Sequence, residues 1–146
     1  MSTTHGEKAL SPFPCRLEHV AISVSDLDRA VAWYAAAFGF EEVARSDKPA
    51  LRVRVALLRL GGNMLEVFEP YEALPLPDGE DTLHTALRRL GTKHIAIAVD
   101  DIHEAYAHLQ SIGAEFDTEV TAGSTSCFFF CKDPDGILIE VIQRTR

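Results

Sequence analysis

Two short stretches of the chain alternate apolar with polar or small residues at a period of two, and they do so in the same phase. In HVAISV, residues 19–24, Val20, Ile22 and Val24 fall on one side and His19, Ala21 and Ser23 on the other. In HIAIAV, residues 94–99, Ile95, Ile97 and Val99 oppose His94, Ala96 and Ala98. Successive side chains of a strand point to opposite faces, so each stretch predicts a β-strand with one face for a core. Ser25-Asp26 and Asp100-Asp101 then offer helix N-caps, and Gly39 and Gly113 offer stops, which predicts helices over about 27–38 and 102–112. The remainder of each half predicts two or three strands, with turns at Gly61-Gly62-Asn63 and Asp133-Pro134-Asp135-Gly136.

The shared phase extends into an internal repeat. RLEHVAISVSDLDRAVAWYAAAFGFEEVAR, from Arg16, returns from Gly91 as GTKHIAIAVDDIHEAYAHLQSIGAEFDTEV. His19 matches His94, Asp26 matches Asp101 and Ala30 matches Ala105. GGNMLEV at 61–67 is echoed by DGILIEV at 135–141, so Glu66 matches Glu140. The expected architecture is α+β, two tandem βαβββ modules. A loose tail at 1–15 precedes one domain at 16–146, divided into module one (16–70), a proline-rich linker with a short helix at about 82–90 (71–90), and module two (91–146).

Length and charge narrow the possibilities. A chain of 146 residues can build one domain, or two small modules sharing a core, but not two independent domains. No apolar run approaches the roughly 20 residues needed to cross a bilayer, so no membrane partner is expected. Residues 1–14 lack the apolar region of a signal peptide. A net charge of −8 without a basic patch disfavours nucleic acid. Three cysteines, Cys15, Cys127 and Cys131, are an odd number at spacings that make no zinc motif. They argue against a disulfide framework and for the cytoplasm.

The repeat also gathers the candidate chemistry. Glu66 follows His19 by 47 positions and Glu140 follows His94 by 46, each pair in the same structural slot. The Val, Ile and Leu faces of the strands can pack against the helices, which leaves the His/Glu faces for a second, concave side. Two imidazoles and two carboxylates left there without partners would cost several kcal/mol. One divalent metal ion held by His19, Glu66, His94 and Glu140 removes that cost. The mixed nitrogen and oxygen set suits Ni, Co, Mn, Fe or Zn with open positions, the mark of a catalytic rather than a closed structural site.

With HVAISVSDLDRAVAWY, the closing DPDGILIEVIQ and the spaced ligands in view, the sequence resembles the glyoxalase, or vicinal-oxygen-chelate, superfamily over nearly all of residues 16–143. The resemblance implies a cupped eight-stranded mixed sheet built from paired modules, a homodimer, and a small-molecule carbonyl substrate that chelates the metal. A metal with nearby carboxylates suits proton transfer next to a carbonyl through a metal-stabilised enolate. Glu140 is the first choice for the acid/base role and Glu66 the second, as a lyase or an isomerase. VRVALLRLGGNMLEVFEP, residues 53–70, is similar to the methylmalonyl-CoA epimerase subfamily, which implies an acyl-CoA epimerase-like reaction. Two departures from that subfamily stand at Ala50, in place of a further glutamate, and in the short DPDG turn. Ser23 and Pro70 stand where glutathione-binding members tend to carry arginine and asparagine. The alternatives are a metal-free drug-binding protein of the bleomycin-resistance kind, and an iron-dependent extradiol dioxygenase. Arg52 and Arg54, read as sharing one strand face, are candidate substrate clamps.

Overall fold

A computed structural model describes residues 12–76, 84 and 87–145. Most of the expected tail lies outside these residues, as does most of the helix expected at about 82–90, of which the described His84 is helical and positions 87–90 form a turn and bends. Module one runs β1 (His19–Ser23), α1 (Leu27–Phe38), β2 (Glu41–Lys48), β3 (Val53–Leu60) and β4 (Asn63–Pro70). Module two runs β5 (Ile95–Ala98), α2 (Ile102–Ser111), β6 (Glu115–Phe116), β7 (Thr121–Ala122), β8 (Ser126–Lys132) and β9 (Leu138–Arg144).

The helices start and stop where local chemistry dictates. Asp26 accepts a hydrogen bond from the Arg29 amide at 2.9 Å, and Asp101 accepts from the amides of His103 and Glu104 at 2.9 and 3.0 Å. Each thereby satisfies amides that the first turn leaves without helical acceptors. Gly39 takes the left-handed conformation, with φ 79°, and its amide reaches back to Ala35, a conformation that an L side chain would oppose.

Among the described residues the strands divide between two sheets, ordered β1-β4-β3-β2 and β5-β9-β8-β6, with β7 also on β8. The first strand of each module pairs in parallel with its last, β1 with β4 and β5 with β9, and the other pairings are antiparallel. The two modules thus repeat one topology, with β1 and β5 each at the edge of its sheet. Module two departs from module one where a single strand β2 is answered by the fragments β6 and β7. The cause is local: the amides of Asp117 and Thr118 both donate to the Phe130 carbonyl, and the Thr118 hydroxyl accepts from the Phe130 amide. A side chain substitutes for a backbone acceptor, so the ladder is interrupted.

The apolar faces of both sheets close on one core. Leu58, Leu65 and Val67 of module one and Phe129, Ile139 and Val141 of module two join it, with Tyr34 of α1 and Leu109 of α2. Fully burying one such Leu, Val or Ile side chain stabilises the fold by about 1.5–3 kcal/mol. Polar bonds fasten the modules: the Tyr34 hydroxyl donates to buried Asp133 at 2.9 Å, and the Ser25 hydroxyl to Asp135 at 2.5 Å. Neither described helix is long and apolar enough to cross a membrane.

Candidate metal centre

The parallel register brings histidine and glutamate together twice. Ala21 lies opposite Glu66 and His19 opposite Met64. Residues opposite one another in a sheet share a face, and so do residues two apart on a strand, so His19 and Glu66 emerge side by side. His19 Nε2 stands 3.2 Å from Glu66 Oε2. In module two Ala96 lies opposite Glu140, and His94 Nε2 stands 3.0 Å from Glu140 Oε2. Two adjacent ligands of one ion, each bonded at about 2.0–2.2 Å, come to lie roughly 3 Å apart. Each pair therefore has the spacing and donor types of half a metal site, and the residues fit a divalent ion.

The structure does not bring the two halves together within one chain. Among the described residues no group of three or more His, Cys, Asp or Glu side chains gathers where it could hold a metal. The four expected ligands fall into two pairs, one per sheet. Both histidines line a cleft of about 1030 Å³ between the modules, whose wall includes Met64, Phe38 and His108 but neither Glu66 nor Glu140. A second cleft of about 770 Å³ runs along β1 and the linker, past Leu74, Leu76 and His94.

The two imidazoles are held differently. His19 Nδ1 is hydrogen-bonded to the carboxylate of Glu18. That contact, reinforced by the charge of Glu66, holds the His19 imidazolium above the usual histidine range. His94 has an aromatic neighbour instead: its ring packs edge-on to Phe130 at 5.1 Å between centroids, and its Nδ1 is buried without a hydrogen-bond partner among the described residues. The repeat hides this asymmetry, because attention to matching positions passes over Glu18, whose counterpart is Lys93. A carboxylate directly before a predicted ligand histidine was the available signal.

Arg52 and Arg54 do not share a strand face. Arg52 precedes β3 in the left-handed conformation, φ 56° and ψ 45°, where a non-glycine residue must be held by its surroundings. Its guanidinium pairs with Glu72 at 3.0 Å and lies 5.5 Å from the centre of the Tyr71 ring. Arg54 grips Glu69 through Nε and Nη2, at 2.6 to 3.1 Å. The other task of Glu69 is to accept from the Leu27 amide at the start of α1, at 2.5 Å. Arg54 is thus built into a helix-capping assembly.

Comparison with known proteins bears on the family and the fold. The chain is 32% identical over 134 residues to the ethylmalonyl-CoA/methylmalonyl-CoA epimerase of Cereibacter sphaeroides, covering 88% of this chain and 97% of that one. It is 30% identical over 132 residues to a lactoylglutathione lyase of Escherichia coli O157:H7, covering 88% and 92%. The crystal structure of a glyoxalase family protein from Enterococcus faecalis matches with a TM-score of 0.73 at 27% identity, covering 87% of this chain and 96% of that one. A family model described as the Glyoxalase/Bleomycin resistance protein/Dioxygenase superfamily matches residues 16–141. With its doubled module and paired His/Glu slots, the chain belongs to the glyoxalase/bleomycin resistance protein/dioxygenase superfamily.

Proposed function

We propose that this protein is a metal-dependent lyase or isomerase that moves a proton on the carbon beside a carbonyl group of a small substrate. The observation that carries the reading is the pair of His–Glu contacts, 3.2 and 3.0 Å, in the same slot of two repeated modules. Because each chain separates the pairs, we place His19 and Glu66 of one copy against His94 and Glu140 of a second, in a homodimer. Leu17, next to the first pair, is 83% exposed, and Leu74 on the linker is 93% exposed. Such side chains suit a surface that another copy covers.

His19, Glu66, His94 and Glu140 would hold one divalent ion, Ni, Co, Mn, Fe or Zn. When bound, the ion supplies a Lewis acid that stabilises negative charge on a substrate oxygen. The remaining work falls to the side chains. Glu140, the more buried carboxylate at 17% side-chain exposure against 25% for Glu66, takes the proton from carbon. Glu66, starting protonated, would give its own proton to the opposite face and so invert the centre, and exchange with water would return both carboxyls to their starting states. Phe130, edge-on to His94, fixes the orientation of that ring.

An acyl-CoA epimerase-like reaction is the first to test. It is supported by the 32% identity to the Cereibacter sphaeroides epimerase, and by Ser23 and Pro70 at the places where glutathione-binding relatives tend to differ. The test is metal analysis of wild type beside His94→Ala and Glu140→Ala, with deuterium exchange from solvent into small acyl-CoA and 2-oxo acid substrates. About one ion per chain in wild type, lost in both variants, with deuterium entering the substrate, is the expected result. Wild type without metal after reconstitution would sink the reading and favour a metal-free binding protein.

A further inference from the structure

The two histidines occupy equivalent positions and have unlike surroundings. His94 is oriented by packing on Phe130, and its Nδ1 meets no polar partner among the described residues. His19 is 41% exposed at its side chain and has no ring contact of that kind among the described residues; its other nitrogen is held by Glu18. An ionised carboxylate has only acceptor sites, so in that bond Nδ1 carries the proton and donates. A neutral imidazole has a single N–H, so fixing it at Nδ1 leaves Nε2 with its lone pair open. Nε2 is the atom 3.2 Å from Glu66.

We propose that Glu18 is a positioning residue for the first metal ligand, binding the Nδ1 proton of His19 so that Nε2 faces the metal as the donor atom. This rests on the reading of His19 and Glu66 as half of a metal site. Glu18 and Glu66 compete for the ring: Glu18 favours the proton on Nδ1 and Glu66 favours it on Nε2. Glu18 is hydrogen-bonded to Nδ1, whereas Glu66 meets Nε2 as an ion-pair contact at 3.2 Å, and the hydrogen bond sets the outcome. A carboxylate behind a ligating histidine also makes the ring a stronger donor. Among the described residues module two has no such support, and Lys93 stands at the position matching Glu18. The His19 half of the site is therefore the half whose affinity depends on a hydrogen bond.

Two measurements on wild type, Glu18→Ala and Glu18→Gln test this. The first is the protonation of each His19 nitrogen in the metal-free protein, read by nitrogen-15 NMR at alkaline pH where the ring is neutral. The second is zinc affinity, read by competition with a chromophoric chelator. The expected result is Nδ1–H at His19 in wild type, its loss in Glu18→Ala, and zinc affinity about 10–100-fold weaker in that variant. Glu18→Gln, whose amide oxygen still accepts, should keep Nδ1–H and recover part of the affinity. His94 signals and the melting temperature should stay unchanged. A Glu18→Ala protein with wild-type ring protonation, or with wild-type affinity, overturns the proposal while leaving the metal site standing. Wild type that binds no zinc removes the metal site itself, and the positioning role with it.

Discussion

Tyr34 and Asp133 lie 99 positions apart in the chain and meet in the interior, both at least 96% buried. Asp133 is well supplied with donors: the Tyr34 hydroxyl reaches Oδ2, and the amides of Asp135 and Ile137 reach Oδ1. Burial nevertheless dominates and pushes its carboxyl above the usual aspartate range. The same burial, with the Asp133 charge beside it, pushes the Tyr34 phenol far up. Tyr34→Phe should lower stability by about 1–3 kcal/mol in urea unfolding, because it leaves a buried carboxylate short of a donor. Asp133 also sets a sign for pH. A carboxyl whose pKa is higher in the fold binds its proton more readily there, so its contribution is full in acid and declines as pH rises through the folded value. Asp133→Asn, which cannot titrate, should therefore cost most in acid and less as pH rises, read from urea unfolding over a pH series. A cost that grows with pH would contradict the raised pKa.

At the scale of elements, the start of α1 joins three separate parts of module one. Asp26 caps the Arg29 amide, and Glu69 at the far end of β4 takes the Leu27 amide while gripping Arg54 of β3. Asp26→Ala should cost about 1 kcal/mol, the ordinary value of a lost N-cap. Glu69→Ala should cost more, about 2 kcal/mol, since it strands both a helix amide and a guanidinium; thermal unfolding reads both. Arg54 was attractive as a substrate clamp because a guanidinium on a strand suits carboxylate or phosphate. Its engagement with Glu69 predicts a different phenotype: Arg54→Ala should lower the melting temperature and leave KM near wild type. A large rise in KM with unchanged stability would restore the substrate role.

The whole molecule poses the question of how two half-sites become one. If His19 and Glu66 of one copy meet His94 and Glu140 of another, two inactive variants should rescue each other. His19→Ala/Glu66→Ala spoils module one, and His94→Ala/Glu140→Ala spoils module two. Mixed and allowed to exchange, half the dimers become hybrids with one intact site each, so about a quarter of wild-type activity should return. Sites contained within single chains would give no recovery. Metal content of the separated hybrid gives the same answer without an assay of turnover.

Much of this was legible before any fold was drawn. The phase of HVAISV and HIAIAV, the paired Asp caps and the terminal glycines depend on neighbours within a few positions, where local propensity and hydrophobic period govern. They correctly placed α1 at Leu27–Phe38, ended α2 one position late, and put each His and Glu on one face of its module. The repeat carried the pairing further, because equivalent sequences adopt equivalent registers. Contacts set by long-range packing were not legible. Nothing near Arg54 in the chain announces Glu69 as its partner, and nothing near Tyr34 announces Asp133. Period-two alternation states which face a side chain occupies, but not where that face points once two sheets have closed on a shared core. The sequence alone thus determined the modules, their helices and the identity of the two His–Glu pairs. Only the tertiary structure decided that the pairs stand apart in one chain, because the direction of a sheet face is set by what the opposite face buries.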